Sequence, residues 1–271
     1  MVRSARFLFA ILFGLLAPAV SGMAASPIGK VVAVVGSPTA SGPGGDRDLG
    51  AGSPVYENDR LETGRGNIQI IFADNTRLVV GPSSTLVVDR FLLRGNKRAQ
   101  KFSIDALRGT FRFISGTMAK SAYDIDTGNA TIGIRGTAFD FSSGRQTLVA
   151  VLTGRVRLCA SGQCEFIPDK CGVGRARGND LDEPGGRAKG RALRSLPYIT
   201  DQGTLTRAFR LNTESCRTSV TLFENFFGGG GNSEAGGKNK TGATHDRGPP
   251  AGGGGDTGGD TGGDTGGGVI N

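Results

Sequence analysis

The chain has 271 residues, a formal net charge of +8 and one histidine, His245, which lies in a glycine-rich segment. A Ser–His–Asp triad needs an imidazole beside the nucleophile, so the composition excludes such a triad and argues against a histidine-rich metal centre. The positive charge favours acidic partners in whichever compartment the protein reaches.

The N-terminus predicts a secretory signal peptide over residues 1–25. Arg3 and Arg6 precede an apolar run, residues 7–17, which ends at Pro18 and is followed by small residues. Signal peptides have an apolar run of about 7–15 residues, whereas a membrane helix needs about 20. We therefore expect an exported protein with no transmembrane segment in its mature chain, and an uncleaved N-terminal anchor is the alternative. Export also argues against nucleic acid as a partner.

Residues 26–160 predict an all-β domain. Apolar and polar positions alternate, as at Ile68, Ile70 and Phe72, and turn residues such as 73–76 separate the apolar stretches. This period-2 pattern is typical of half-buried strands. The later strands are predicted at 102–107, 110–114, 122–125, 130–134, 138–141, 148–152 and 156–158. The pattern leaves a sandwich, a barrel and a solenoid-like roll open.

Two features within these strands carry specific predictions. Phe111 and Phe113 lie on the same side of a strand, so we expect both rings in the core and the Arg112 guanidinium in solvent. Glycines in the later strands are expected to provide positive φ angles or bulges at strand ends. They are Gly133, Gly136 and Gly154.

The triplet that begins at Asp126 (Asp-Thr-Gly) matches the catalytic triplet of aspartic proteases. Those enzymes need two adjacent carboxylates that share a proton. The other Asp-Thr-Gly triplets lie in the glycine-rich C-terminal segment, where the sequence enforces no geometry. We therefore predict that the protein is not an enzyme and has no catalytic, cofactor-binding or metal-binding residues.

The four cysteines predict two disulfides, because an exported protein is oxidised. They are Cys159, Cys164, Cys171 and Cys216. Three pairings are open. A strand–turn–strand pattern over residues 156–167 favours Cys159–Cys164, which would leave Cys171–Cys216 to close the longer loop. The spacing lacks the paired clusters of common zinc sites.

The region after residue 160 divides into a basic extension, 161–227, and a tail, 228–271. Glycines interrupt the basic stretch, which therefore predicts an exposed loop that contacts an anionic partner, with a solvated linker as the alternative. The predicted contact residues are Arg175, Arg177, Arg187, Lys189, Arg191 and Arg194. The tail is rich in Gly, Asp and Thr, a composition that predicts disorder.

Several segments resemble the FecR domain, a periplasmic module of Gram-negative bacteria. They are GSPVYEND (52–59), LETG (61–64), IFADNT (71–76), GTFRFISG (109–116), ATIGIRGTAF (130–139) and VLTGRV (151–156). At residues 127–128 the chain has Thr-Gly where the family pattern usually has Thr-Pro, which we interpret as a turn variant. The resemblance implies an all-β, solenoid-like or roll-like fold of short strands, without catalytic machinery.

The resemblance also implies a place and a type of function. The best-known FecR proteins carry a cytoplasmic anti-sigma segment and a membrane helix, and relay a signal from an outer-membrane transporter. Here a predicted signal peptide occupies the place of the cytoplasmic segment. We therefore predict a free-standing periplasmic FecR domain, a binding or scaffold module for another envelope protein or an anionic envelope polymer. A signal-transduction component that contacts a membrane sensor is the alternative function, and secretion or outer-membrane association is the alternative location.

Overall fold

The computed structural model describes residues 25–94, 98–117 and 123–219. The predicted signal peptide, apart from Ala25, and the predicted tail lie outside these residues, so both stay predictions. Among the described residues, no helix has the length and apolar character needed to cross a membrane.

The described residues form fifteen β-strands joined into one hydrogen-bonded sheet, which confirms the predicted all-β class. The strands are β1 (Gly29–Val35), β2 (Thr39–Ser41), β3 (Arg47–Asp48), β4 (Pro54–Val55), β5 (Arg60–Glu62), β6 (Asn67–Phe72), β7 (Arg77–Val80), β8 (Thr85–Arg94), β9 (Arg98–Ile114), β10 (Tyr123–Thr127), β11 (Thr131–Ser143), β12 (Thr147–Ala160), β13 (Gln163–Ile167), β14 (Gly172–Arg177) and β15 (Asp180–Asp182). The helices are α1 (Gly186–Arg194), α2 (Pro197–Thr200) and a short 3₁₀ turn, Arg207–Phe209, and residues 214–219 are also helical.

The sheet folds into two layers that share the long strands β9, β11 and β12. In the first layer, β9 pairs with β7 and β11, and β12 pairs with β11 and β14. In the second layer, the other half of β9 pairs with β8 and β10, while β11 pairs with β10 and β12 pairs with β13. Each long strand therefore begins in one layer and ends in the other.

Glycines mark the points at which the long strands change layer. Gly109, Gly136 and Gly154 have φ angles of 115°, 64° and 79°. A bulge bends a strand and increases its twist, which lets one strand belong to two layers. The predicted short strands are therefore wrong here, because these glycines bend β9, β11 and β12 instead of ending them. Positive φ is confirmed at Gly136 and Gly154, within strands and not at their ends, whereas Gly133 has no positive φ.

The main hydrophobic core lies between the layers and is rich in phenylalanine. Phe72 of the first layer contacts Phe102 of the second, with ring centroids 4.9 Å apart. Phe113 and Tyr123 make a similar contact at 5.6 Å. Edge-to-face ring pairs of this kind add about 0.5–1.5 kcal/mol beyond the area that they bury. The predicted inward orientation of Phe111 and Phe113 is confirmed, since both are fully buried.

The chain after β15, residues 183–219, packs on the outer face of the first layer, and we call it the C-terminal segment. One cluster joins Leu193, Leu196 and Ile199 to Leu148 and Ala150. A second cluster joins three further side chains of this segment to β7, at Val79. The C-terminal segment therefore belongs to the same folded unit as the β-strands.

Two disulfides fasten the second half of the chain, and both are the pairs that the sequence favours. Cys159 and Cys164 are opposite each other on β12 and β13 and form one disulfide. Cys171 and Cys216 form the other and lie in the cluster beneath α1. The second disulfide therefore fixes the C-terminal segment to the outer face of the first layer.

Candidate functional site

Arg112 is buried between the β-strands and the C-terminal segment and forms hydrogen bonds to both. It lies on β9 with its side chain pointing away from the main core, and its exposed fraction is 0%. Its Nε and Nη2 atoms donate to the two carboxylate oxygens of Asp140 on β11, at 2.6 and 2.8 Å. The prediction of a solvated guanidinium is therefore wrong, because the C-terminal segment covers this part of the sheet.

The remaining N–H groups of Arg112 bind the covering segment. Nη2 donates to the carbonyl oxygen of Tyr198 at 2.8 Å, and Nη1 donates to the carbonyl of Phe209 at 3.2 Å and to the side chain of Gln202. All five donors of the guanidinium therefore have an acceptor. Burial raises the pKa of Asp140, and the bonds from Arg112 oppose that shift. These contacts link the sheet to the C-terminal segment, and we call Arg112 with its hydrogen-bond partners the Arg112 joint.

A second polar contact fastens the same segment further along the sheet. The Gln69 side chain on β6 donates to the carbonyl oxygen of Thr204 at 3.0 Å and accepts from the backbone N–H of Thr206 at 2.8 Å. Arg77 on β7 donates to the carbonyl oxygen of Ala208 at 2.6 Å. In the sequence, these outward polar residues carry the pattern of solvent-facing strand positions, so nothing local distinguishes them from exposed residues.

The six predicted contact residues do not form a loop, which corrects the sequence interpretation. Arg175 and Arg177 lie on β14, and the other four lie on α1. Arg175 donates to both carboxylate oxygens of Asp182 on β15, at 2.9 and 2.6 Å, and this contact raises the pKa of Arg175. The strands form here because β14 pairs with β12 and β15, and the helix forms because its apolar residues pack on the outer face of the first layer. Glycine content does not reveal these contacts.

Helix α1 separates its basic residues from its apolar ones. Arg187, Arg191 and Arg194 are exposed, and their spacing of four and three residues places them along one side of the helix. Ala192 and Leu193 are buried against the sheet. Two of these arginines lie in the last turn, where positive charge is favourable to the helix dipole. We call Arg187, Arg191 and Arg194 the arginine ridge.

The outer face of the second layer carries charges that the sequence analysis did not group. Asp105 and Asp126 are directly opposite each other on β9 and β10. Partial burial is the main cause that raises the pKa of Asp105, followed by the negative charges of Asp89 and Asp126. Arg155 and Arg157 are exposed on β12. The face therefore has an acidic side and a basic side.

The protease-like triplet lies on this face and not in a cleft. Asp126 is exposed near the end of β10, and its carboxylate accepts a hydrogen bond from the Thr131 hydroxyl at 2.7 Å. Within the described ranges, no group of three or more His, Cys, Asp or Glu side chains is placed to hold a metal ion. The structure thus surrounds Asp126 with strand neighbours on an open face.

Comparison with known proteins shows a similarity to one protein family. Residues 59–157 match the sequence model of the FecR protein family, which confirms the predicted resemblance. This range runs from the residue before β5 into β12, so the match includes strands of both layers. No curated protein matches the chain.

Two crystal structures are similar to part of the chain. Each is described as a candidate anti-sigma factor from Parabacteroides distasonis, with 10% sequence identity and a TM-score of 0.39. The similarity covers 62% of this chain and 91% and 92% of the two crystallised chains.

Proposed function

We propose that this protein is a non-catalytic binding module of the cell envelope, exported to the periplasm by its N-terminal signal peptide. The FecR match supports an envelope role, and two disulfides are typical of proteins that fold in an oxidising compartment. In this proposal the protein acts through its surface and makes or breaks no bond in its partner. We further propose the roll-like fold for the shared-strand layers and the predicted division into 1–25, 26–160, 161–227 and 228–271.

The arginine ridge on α1 is the contact surface in this proposal. Its partner is another envelope protein or an anionic envelope polymer. The observation that carries the proposal is the position of three exposed arginines along one side of α1, opposite the buried Leu193. The Cys171–Cys216 disulfide and the Arg112 joint hold the segment in place. Because the ridge is preorganised, binding orders little additional chain.

The alternative function is envelope signal transduction, in which the partner is a membrane sensor. The FecR match favours this alternative, since FecR proteins with known roles relay signals across the envelope. The two functions differ in the molecule that the ridge contacts.

The test compares two charge-matched triple variants. Arg187→Gln, Arg191→Gln and Arg194→Gln together remove the ridge, whereas Arg65→Gln, Arg145→Gln and Arg207→Gln remove three exposed arginines elsewhere. Binding to phosphatidylglycerol vesicles, to an acidic glycan and to crosslinked periplasmic proteins is measured at low and at physiological salt. We expect only the ridge variant to lose binding, and wild-type binding to fall steeply as salt screens the contact.

Each outcome of this test has a clear meaning. Crosslinking of a membrane sensor at α1 favours signalling, whereas ridge-dependent binding to the vesicles or the glycan favours the scaffold function. Equal binding by both triple variants, or binding that is insensitive to salt, would contradict the ridge as the contact surface.

A further inference from the structure

The two disulfides differ in how exposed their cysteines are. Cys171 and Cys216 are each 1% exposed and lie in the cluster beneath α1, and we call their bond the buried disulfide. Cys164 is exposed on β13, and its partner Cys159 on β12 is partly exposed, so we call this pair the surface disulfide. Thiol–disulfide exchange begins when a thiolate attacks one sulfur of a disulfide, so access decides which disulfide reacts. Of the two, the surface disulfide is therefore the one that a thiol from solution reaches while the protein is folded.

A guanidinium contacts one sulfur of the surface disulfide. Nε of Arg157, two residues before Cys159 on β12, donates a hydrogen bond to Cys159 Sγ at 3.2 Å. Arg155 is exposed on the same strand and, by alternation, lies on the same face. Positive charge beside a cysteine favours its thiolate, and a thiol that ionises readily is the better leaving group. Cys159 is therefore the sulfur that is placed to leave when the disulfide opens.

The other neighbours of this sulfur oppose the guanidinium only from a distance. Thr131 of β11 is directly opposite Cys159, and its hydroxyl donates to the carboxylate of Asp126 on β10. Asp124 and Asp126 are the acids of β10 on this face, and β11 separates them from β12. Glu165 of β13 lies at the alternate strand position, so it points to the other side of the sheet. The charge in contact with the disulfide is thus positive.

The hairpin that carries the surface disulfide has a turn and a pairing of its own. β12 and β13 pair at five positions, and the connecting residues Ser161 and Gly162 have φ angles of 48° and 79°. Two positive φ angles are typical of the type I′ turn, which favours a two-residue hairpin. A disulfide that closes a short loop restricts the unfolded chain less than one that closes a long loop. We therefore expect the hairpin to stay folded when the surface disulfide is reduced.

We propose that the surface disulfide is a thiol–disulfide exchange site for a protein dithiol. One thiolate of the dithiol attacks Sγ of the exposed Cys164, the disulfide breaks, and its electron pair leaves on Sγ of Cys159 beside Arg157. The second thiol of the dithiol then attacks the mixed disulfide and releases Cys164. This chain gains two electrons and the two protons that the dithiol loses, and the dithiol becomes a disulfide. The reverse exchange, with the oxidised form of the same partner, closes the surface disulfide again.

An exposed aromatic ring beside the surface disulfide favours a protein as the carrier of the dithiol. Phe166 on β13 is opposite Arg157, and 56% of its surface is exposed. The guanidinium of Arg155 lies over this ring, 5.9 Å from its centroid. Aromatic side chains and arginine are enriched in protein interfaces. The arginine ridge lies on the segment that covers the other layer, so this inference does not depend on the proposed function.

The first test compares the two disulfides in the folded full chain. The protein is treated with dithiothreitol, a small dithiol, without denaturant, and the free thiols are alkylated at intervals and located by mass spectrometry. We expect Cys159 and Cys164 to be labelled at least about tenfold faster than Cys171 and Cys216, with an unchanged circular dichroism spectrum. Equal labelling rates, or labelling of the surface disulfide only when the protein unfolds, would overturn the proposal.

The direction of the attack is tested with a protein dithiol. A thioredoxin variant that lacks its second active-site cysteine cannot complete the exchange, so it should stay attached to this chain as a mixed disulfide. We expect mass spectrometry to find that bond at Cys164, with Cys159 free. A mixed disulfide at Cys159, or none at either cysteine, would contradict the proposed exchange.

Variants of Arg157 test the role of its charge. Arg157→Gln should slow the reduction by dithiothreitol several-fold and move the pH profile for alkylation of the reduced Cys159 to higher pH, because no cation then favours the thiolate. Arg157→Lys keeps the charge and should restore most of the rate. Arg145→Gln removes an exposed arginine between β11 and β12 and is the matched control, which should behave as wild type. An alkylation profile that Arg157→Gln leaves unchanged would overturn the proposed mechanism.

Discussion

The outer faces of the two layers differ because the C-terminal segment covers one of them and leaves the other exposed. The first layer presents Val79, Leu148 and Ala150, and the C-terminal segment covers them. The second layer presents Asp126 and Arg157, which are exposed. Apolar outward residues need a cover to leave water, whereas charged ones keep their hydration. The difference teaches that the C-terminal segment completes the core of this protein, while the second layer remains open for contacts.

The largest expected loss of stability comes from breaking the Arg112–Asp140 ion pair beneath the C-terminal segment. Arg112→Ala leaves the carboxylate of Asp140 buried without its partner, so we expect a loss of about 3–5 kcal/mol in the free energy of unfolding. Arg157→Ala, on the open face, should change it by less than about 0.5 kcal/mol. Urea denaturation of both variants measures the two values. Similar small losses in both would mean that Arg112 does not hold the cover.

The two disulfides sharpen the same comparison. Cys171 and Cys216 are 45 residues apart and attach the C-terminal segment to the first layer. Cys159 and Cys164 are five residues apart and lie on two strands of the second layer. In the chain-entropy model, removing the first with a double Ala variant costs about 4 kcal/mol, and removing the second costs about 2 kcal/mol. Thermal and urea unfolding compare the two double variants. Greater destabilisation from losing the short-range disulfide would contradict this order.

The glycines at the layer boundary are expected to have an intermediate effect. At Gly154, a Cβ would lie 2.4 Å from the carbonyl oxygen of Gly136, in a backbone with φ of 79°. Gly154→Ala should therefore destabilise the fold by about 1–3 kcal/mol. Gly133→Ala has ordinary space and no positive φ, so its unfolding curve should overlay that of wild type. Equal tolerance at both positions would show that the strands change layer without help from Gly154.

The smallest effect is the charge crowding at Asp105. Its raised pKa means that the folded state binds the proton more tightly than the unfolded state, so stability falls as pH rises through the ordinary and then the raised pKa. Asp105→Asn should therefore be more stable than wild type at pH 7. The gain should be only roughly a few tenths of a kcal/mol, because the carboxyl is partly buried and water still screens its charge. The advantage should vanish below about pH 3. Melting temperatures at the two pH values test this, and an advantage that persists in acid would indicate a cause other than charge.

Of the features predicted from the sequence, the burial of Phe111 and the disulfide pairs are confirmed, whereas the solvated state of Arg112 is wrong. The burial of Phe111 and the cysteine pairing follow from strand alternation and from a short turn, which are local properties, and the structure agrees. The solvated state predicted for Arg112 was wrong because its cover comes from Tyr198 and Phe209, about ninety residues later in the chain. A period-2 pattern states which side of a strand a residue lies on, and not what covers that side.

By itself, the sequence determined the all-β class, the FecR resemblance and the disulfide framework, because alternation, motifs and cysteine spacing act over a few residues to a few tens of residues. The tertiary structure alone decided that Gly136 bends a strand from one layer into the other, that Arg187 and Arg191 lie on a helix, and that Asp124 and Arg157 share an open face. These features depend on contacts between distant segments. These contacts stabilise the protein only when the strands pair and the C-terminal segment packs on the sheet, so no local sequence pattern predicts them.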